Sequence, residues 1–412
     1  MTNKNLLAMS VMLFLVYAAL LPPILTNYNY GRAYSDQEKY YYPIILYLSQ
    51  HFTLSNIVYP TADTLGFVPP ASTPGYYLLL AAAHKWLSSA EVALKLVNSL
   101  STVAFFLLVA RILSDKFDVL RVVVFCLPAL CSLYIYPSGV WLLPDNSSWF
   151  LIAAILYIIF ASSRGIKNYL ATAVLLAMAV FVRQTNIWLV LPIIVAGMDF
   201  SSTCGARKCF AVSPCISSAA KLLPPVLAIV PALGILIVFF VAWGGFVPPA
   251  LQERHQGVNF AVPSFFLSLF FVFTIFYLPY LWPQLKRLSR RQIHMVIGAF
   301  LFGLLLALFS HTDYNFVQGR NSGLWNFVKI TPAYVHRSFL IAILSPLGAA
   351  TMAIWLLLVD KHARWILLTS VVGFLLVNMA NKLSYERFYD GFIFIFLVLC
   401  LTPKVSTHIL GK

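Results

Sequence analysis

The amino-acid sequence predicts an all-α, polytopic membrane protein of about 12 transmembrane helices, with a long first loop that carries interfacial helices. Composition is the first reason. Of the 412 residues, 61% are hydrophobic and only 10% are charged, whereas roughly a quarter of a soluble domain is charged. The second reason is a series of apolar runs, several of which reach the roughly 20 residues that cross a bilayer as a helix. The sequence thus predicts a single integral membrane domain over residues 1–412.

The predicted spans are apolar runs separated by polar or basic segments. They comprise residues 6–25, 92–110, 119–137, 147–162, 168–182, 185–199, 222–243, 262–283, 293–310, 339–359, 365–380 and 388–402. Only Arg183 and Gln184 separate the fifth span from the sixth. The first run has no small-residue cleavage site, which favours a retained span over a cleavable signal peptide.

Basic residues are distributed unequally between the two sides of the membrane. With a cytosolic N-terminus, one side carries 17 of the 28 Lys and Arg residues and four of the 13 acidic residues. That side has a net charge of +13 and the other a net charge of +2. The bias follows the positive-inside rule. The net charge of +15 therefore predicts membrane topology, and no nucleic-acid partner is expected.

The six cysteines divide into two groups. Cys126, Cys131 and Cys400 lie in predicted spans, where cysteine commonly serves as a packing residue. The other three lie in a predicted cytosolic loop, residues 200–221, and are Cys204, Cys209 and Cys215. No histidine or carboxylate accompanies them, so they make a poor zinc site. A reducing compartment also disfavours a disulfide there.

Polar residues gather in the loops of the opposite, non-cytosolic side. The first such loop, residues 26–91, contains "YSDQEKYYYP" (34–43) and two predicted short interfacial helices, at 40–48 and 76–87. Further polar segments follow at Asp145, 183–186, 243–257, 311–338 and 381–390. This distribution predicts an enzyme with its site at the outer membrane surface. A transporter or flippase is the alternative, although transporters usually place ionisable groups near the bilayer midplane.

The residue types in these loops suit sugar transfer from a lipid phosphate. A carboxylate such as Asp36 or Glu38 can take the proton from an attacking sugar hydroxyl. Cations can stabilise the charge of a leaving phosphate. The loops offer Arg183, Arg254, His255, Arg320, Lys329, Arg337, Lys382 and Arg387 for this purpose. Each could also be an ordinary solvated or snorkelling side chain.

Several motifs resemble one known family. "FVRQTNIWLV" (181–190) resembles the Phe-x-Arg-Gln-Thr-Asn-Ile motif of the α-1,2-glucosyltransferases that add the last glucose to the lipid-linked oligosaccharide. Further similar blocks follow the family's order: "YSD" (34–36), "YLSQHFTLS" (47–55), "TPGYYLL" (73–79), "LKLVNSL" (94–100), "WGGFV" (243–247) and "KLSYERFYDGFI" (382–393). The likeness extends over nearly the whole chain, and "RQTN" is its most specific part.

The resemblance implies a GT-C-type fold and a membrane enzyme of the endoplasmic reticulum with a luminal active site, or of the plasma membrane in a prokaryote. It implies inverting transfer of glucose from a dolichyl-phosphate or polyprenyl-phosphate donor to a lipid-linked oligosaccharide, among membrane lipids and without a cofactor or metal. Asp36 would be the catalytic base and Glu38 its neighbour, with Lys39 or Arg183 keeping the base ionised. The donor phosphate and sugar would be bound by Arg183, Gln184, Asn186, His255, Arg320 and Arg387.

The sequence also departs from the family pattern. The family's adjacent Asp-Glu is Asp-Gln-Glu here, and a late luminal block keeps Arg320 but lacks the family's acid and histidine. In the segment that follows the Gly-Gly of "WGGFV" (243–247), only His255 corresponds to a residue of the family pattern. The transferred sugar and its acceptor therefore stay open, as does an inactive relative. Asp36 and Glu38 could alternatively imitate a metal-binding Asp-x-Asp pair.

Overall fold

A computed structural model describes residues 3–28, 31–58, 67–161, 165–198 and 219–402, and within them the chain is mostly helical. Each predicted span contains a helix. Six helices are long and apolar enough to cross a membrane: Asn3–Leu25, Glu91–Ser114, Leu222–Trp243, Arg290–Phe309, Phe339–Leu358 and Lys361–Met379. These helices indicate a multi-pass membrane protein. Residues 200–218 of the predicted cytosolic loop lie outside the described ranges, and so do its three cysteines.

The remaining predicted spans correspond to shorter or broken helices. The predicted span 262–283 consists of Val262–Ile275 and Leu278–Leu285, which meet at an angle of 94° and would make a seventh span if counted as one. The others are Val119–Leu130, Asp145–Ala161, Ile166–Val182, the 3-10 helix Gln184–Leu189 with Val190–Gly197, and Asp390–Leu401. By length the described helices give six or seven candidate spans, so the count of twelve stays a prediction.

In the predicted span 119–137, the apolar run is longer than the helix that it contains. The helix ends at Leu130, and a second short helix, Ile135–Val140, begins after a turn. The Ser132 hydroxyl accepts hydrogen bonds from the backbone N–H groups of Tyr134 and Ile135, each at 3.2 Å. A serine that satisfies these N–H groups stabilises a turn in place of a continuous helix.

The first loop contains helices at both predicted positions, and its described residues contain further short helices. Arg32–Asp36, a π-helical turn at Gln37–Tyr41 and Tyr42–Gln50 follow one another without a break, and Leu54–Val58 and Gly75–Trp86 complete the described part. The late loop 311–338 also has structure of its own. It contains the helix Leu324–Ile330 and a two-stranded antiparallel hairpin of Ala333–Tyr334 and Arg337–Ser338.

The helix Asp390–Leu401 lies at the centre of the protein. All 12 of its residues are buried, and they contact side chains from several other helices. A helix that is apolar on every side is expected to be surrounded by protein or lipid. The 3-10 turn Glu386–Phe388 and Tyr389 lead into it, and this entrance lies beside the main cavity. Helix Pro249–His255 borders the same cavity.

Candidate active site

One cavity of about 400 Å³ unites most of the residues that the sequence singles out. Its walls come mainly from the first loop, residues 133–149, the turn that begins with Arg183, the end of helix Pro249–His255, and residues 374–388. Six of the eight predicted site residues line it: Asp36, Arg183, Gln184, Asn186, His255 and Arg387. Glu38 and Arg320 are not among the lining residues. Segments far apart in the sequence therefore meet at one concave site, the usual form of a small-molecule site.

Asp36 forms an ion pair with Arg387. The Arg387 Nη1 donates to Asp36 Oδ2 at 2.8 Å, and its Nη2 donates to the Tyr41 hydroxyl at 3.4 Å. Asp36 ends the first-loop helix Arg32–Asp36, and the π-helical turn after it begins at Gln37. Such turns are frequent at functional sites. The pair holds the carboxylate at the cavity wall, joining two residues 351 positions apart.

Arg183 has a different acidic partner, Asp145. Its Nη2 lies 2.9 Å from Asp145 Oδ1, and the Asp145 side chain is almost fully buried. The guanidinium of Arg183 also lies 5.4 Å from the centre of the Phe388 ring, and that of Arg387 lies 5.6 Å from the same centre. One aromatic ring therefore contacts both arginines, a cation–π arrangement that fixes their planes.

Gln184 and Asn186 are buried and connect secondary-structure elements. Gln184 Nε2 donates to the carbonyl oxygens of Ala71 at 2.6 Å and Phe246 at 2.9 Å, and its Oε1 accepts from Thr73 N–H at 3.1 Å.

Asn186 Nδ2 donates to Ser148 Oγ and to the Ala179 carbonyl oxygen, both at 2.8 Å. These side chains line the cavity, but their amides hold the first loop and two helices in place.

Glu38 and Lys39 lie outside the cavity. Glu38 is exposed and accepts a hydrogen bond from the Tyr34 hydroxyl, which raises the pKa of Tyr34 to about 12. Lys39 is exposed as well.

Between Asp36 and Glu38, the buried Gln37 donates to Glu91 Oε1 at 2.7 Å and accepts from the Leu142 N–H at 3.0 Å. The two carboxylates thus face different surroundings. The cation beside Asp36 is Arg387, where the sequence predicts Lys39 or Arg183.

Arg254 and His255 end the helix Pro249–His255 on another side of the cavity. Arg254 Nη2 donates to the Tyr385 hydroxyl at 3.4 Å. Burial, together with the positive charge of Arg254, lowers the pKa of His255 to about 4. The His255 carbonyl oxygen accepts from the Lys382 N–H at 3.0 Å, which joins this helix to the segment before Arg387. His255 is therefore a neutral group at neutral pH.

Arg320 is a buried connector of the late loop. Its Nη1 donates to the His311 carbonyl oxygen at 2.8 Å and contacts Asp313, and its Nη2 donates to Asn259 Oδ1 at 3.1 Å. Burial lowers the pKa of Arg320 to about 10. The resemblance implies that Arg320 binds the donor, whereas in the structure Arg320 does not line the cavity and its bonds join loop segments.

In the described part of the chain, no three His, Cys, Asp or Glu side chains cluster in a way that could hold a metal ion. Asp36 and Glu38 in particular do not converge, because one lines the cavity and the other is exposed. The carboxylate of Asp36, three arginines and the neutral His255 all line the cavity. This set can accept a proton and can bind an anion.

Sequence reasoning missed two residues that shape this site, Asp145 and Phe388. In the sequence, Asp145 is one of several acids in the predicted outer loops, and nothing in the sequence distinguishes it as a partner of Arg183. Its signal was its position, directly before a long apolar run, where a helix start is expected. Phe388 lies within "YERFYD" (385–390) and carried no signal by itself, because its contacts with two arginines depend on the tertiary fold.

The fold and the site define a predominantly helical, multi-pass membrane protein with a charged cavity. Comparisons of the chain with family models, with curated proteins and with solved structures found no match.

Proposed function

We propose that the protein is a membrane glycosyltransferase that moves a sugar, glucose by resemblance, from a dolichyl- or polyprenyl-phosphate donor to a lipid-linked oligosaccharide. The observation that carries the proposal is the Asp36–Arg387 ion pair at the wall of a cavity that also contains Arg183. A carboxylate and several guanidinium groups beside one another match the two requirements of the reaction, proton removal and phosphate stabilisation. The apolar helices around the cavity suit substrates with prenyl chains.

The proposed reaction is a single inverting displacement. Asp36 accepts the proton of the acceptor hydroxyl while the hydroxyl oxygen forms a bond to the anomeric carbon. The bond between that carbon and the phosphate oxygen breaks, and the phosphate leaves with the electron pair. The guanidinium groups at the cavity stabilise its added negative charge. Inversion of a β-linked donor gives the α-1,2 product that the family resemblance implies.

We also propose the finer structural features that the resemblance implies. They are a GT-C-type arrangement with about 12 membrane crossings, residence in the endoplasmic reticulum, and a cavity that opens on the luminal side. The short helices that fall on predicted spans would cross the membrane together with the polar turns that continue them. A site that opens on one side of the membrane requires its residues to lie together. Asp36, Arg183 and Arg387 meet this requirement, because they line one cavity.

Reconstitution tests the proposed function. Purified protein in liposomes with labelled dolichyl-phosphoglucose and a lipid-linked acceptor should produce an elongated glycan. Asp36→Asn should reduce transfer by roughly 10²- to 10⁴-fold, because the general base is lost. Glu38→Gln is the matched control, since Glu38 is exposed and outside the cavity, and it should leave transfer nearly unchanged.

Two other outcomes contradict the proposal. Label that crosses the bilayer without transfer would indicate a flippase. Full activity in Asp36→Asn, with the variant as well folded as the parent, would mean that Asp36 is not the base.

A further inference from the structure

The arginines that line the cavity differ in whether a carboxylate is paired with them. Arg387 is paired with Asp36 at 2.8 Å, and Arg183 is paired with Asp145 at 2.9 Å. A guanidinium held by a carboxylate has part of its charge compensated and part of its donor fork occupied. A further anion would have to compete with an acid already present at each of these two positions.

Arg254 lines the same cavity, and no carboxylate of the described residues forms an ion pair with it. In the described ranges the groups beside its guanidinium are phenols: Nη2 donates to the Tyr385 hydroxyl at 3.4 Å, and Tyr40, which also lines the cavity, lies nearby. Phenols are neutral at physiological pH, so they orient the guanidinium without cancelling its charge. The arginine side chain is exposed, which leaves it accessible to a ligand.

The neighbouring group supplies no second charge. His255 lines the cavity next to Arg254, but its lowered pKa of about 4 keeps the imidazole neutral. A neutral imidazole can exchange hydrogen bonds with sugar hydroxyls but adds no attraction for phosphate. Arg387 also lies close enough to act on His255, but it is paired with Asp36, so among the described residues Arg254 is the arginine beside His255 that has no acidic partner.

We infer that Arg254, framed by Tyr40 and Tyr385, binds the phosphate of a polyprenyl-phosphate ligand. This assignment rests on the proposed function and adds the position of the phosphate group. It leaves Arg183 and Arg387 to hold the cavity wall and Asp36 through their ion pairs. A cation without a carboxylate partner can form a bidentate bond to phosphate without first breaking an ion pair.

Binding of dolichyl phosphate, which carries no sugar, to the purified protein tests this inference independently of transfer. Arg254→Gln should raise the Kd for dolichyl phosphate by roughly 10- to 100-fold, the usual effect of losing a charge-assisted hydrogen bond. Arg254→Lys should recover part of the loss, since it keeps the charge but not the planar fork. Dolichol, which lacks the phosphate, should bind equally to all variants.

Arg290→Gln is the matched control. Arg290 is also an exposed arginine, at the start of helix Arg290–Phe309 and away from the cavity lining. It should leave the Kd for dolichyl phosphate unchanged. Equal weakening by Arg290→Gln and Arg254→Gln would indicate general attraction of lipid headgroups to a basic surface and would overturn the inference. An unchanged Kd in Arg254→Gln would overturn it too.

The two proposals fail separately in this design. Asp36→Asn should still bind dolichyl phosphate, because the base does not hold the phosphate. If the parent protein transfers sugar and Arg254→Gln binds and transfers normally, the phosphate position is wrong and the glycosyltransferase proposal stands. If Arg254-dependent binding is found but no transfer occurs in liposomes, the proposed enzyme activity is wrong and the phosphate site stands.

Discussion

Glu386 and Arg387 are adjacent in the chain but stabilise two different loops. Arg387 pairs with Asp36 of the first loop, whereas Glu386 Oε2 accepts a hydrogen bond at 2.5 Å from the Leu324 N–H of the late loop. Both side chains project from the 3-10 turn that leads into the central helix. A change at Glu386 should therefore act on the late loop first.

The pKa of the Glu386 carboxyl is raised to about 7 by its removal from water, although the Leu324 N–H opposes this shift. The folded protein thus holds a proton on Glu386 over a pH range where the unfolded chain, near its ordinary value of 4.5, has released it. Stability from this group is greatest at or below about pH 4.5 and falls as the pH rises to about 7.

Glu386→Gln should remove this pH dependence. The uncharged amide keeps an oxygen that can accept from Leu324 N–H and never ionises. Between about pH 5 and 7 the unfolding temperature of the parent should fall relative to that of the variant, by the equivalent of at most about 3 kcal/mol. Thermal unfolding in detergent across this pH range measures the difference. Parallel curves for the two proteins would show that Glu386 does not titrate in this window.

Single residues show how far the sequence could predict the site. Their chemistry and the family resemblance predict Asp36, Arg183 and Arg387 as site residues, and all three line one cavity. Their partners could not be predicted, because the Asp36–Arg387 pair joins residues 351 positions apart and no local pattern encodes such a contact. The role of Gln184 could not be predicted either, because its three hydrogen bonds reach residues that are distant in the sequence, Ala71, Thr73 and Phe246.

At the scale of helices, small residues set how closely neighbours pack. A Cβ on Gly348, in helix Phe339–Leu358, would lie 1.8 Å from the carbonyl oxygen of Leu267. A Cβ on Gly303, in helix Arg290–Phe309, would lie 2.7 Å from the Ala349 Cβ. The Ser345 hydroxyl donates to the Gly303 carbonyl oxygen at 2.9 Å across this contact. Small residues and interhelical hydrogen bonds are typical of helix association in membranes.

Gly348→Ala should therefore destabilise the protein. The added methyl group would meet backbone at Leu267, which can move only with its helix, so we expect a loss of about 1–3 kcal/mol or more. Gly298→Ala is the matched control, because a Cβ there meets nothing within 4 Å. It should be neutral or stabilising by up to about 1 kcal/mol, since alanine favours helices. Thermal unfolding of both variants in detergent provides the measurement, and an equal response would contradict the packing argument.

The helices themselves were predictable from apolar runs, but their breaks were not. Residues 262–283 form one continuous apolar run, yet the chain bends by 94° between Ile275 and Leu278. Pro279, at the start of the second helix, was the available signal, because proline favours the first turn of a helix. Hydropathy averages over a window and does not detect a break of two residues.

At the scale of the whole molecule, the cavity and the basic turn 286–289 lie toward opposite ends of one long helix. Helix Arg290–Phe309 has 20 residues, so its ends lie about 30 Å apart, the thickness of a hydrocarbon core. Its C-terminal end leads to the late loop, where Arg320 contacts Asn259 close to the cavity-lining helix end at His255. Lys286, Arg287, Arg290 and Arg291 lie at the opposite end.

Topology labelling should place these two ends on opposite sides of the membrane. Single cysteines introduced by Gln256→Cys and Lys286→Cys in a cysteine-free background occupy exposed positions near each end. In sealed microsomes an impermeant thiol reagent should reach Lys286→Cys from the cytosolic face, and Gln256→Cys only after permeabilisation. Labelling of both positions from one face would contradict the proposed topology and the luminal site.

The central position of helix Asp390–Leu401 has a consequence for biosynthesis. Ribosomes deliver this helix after every other described helix, yet its 12 residues are enclosed by earlier ones. Until it emerges, Asp36 lacks Arg387 and the earlier helices lack the surface on which they pack. The earlier helices therefore cannot complete their packing, and the cavity cannot gain its last wall, until synthesis has passed Leu401.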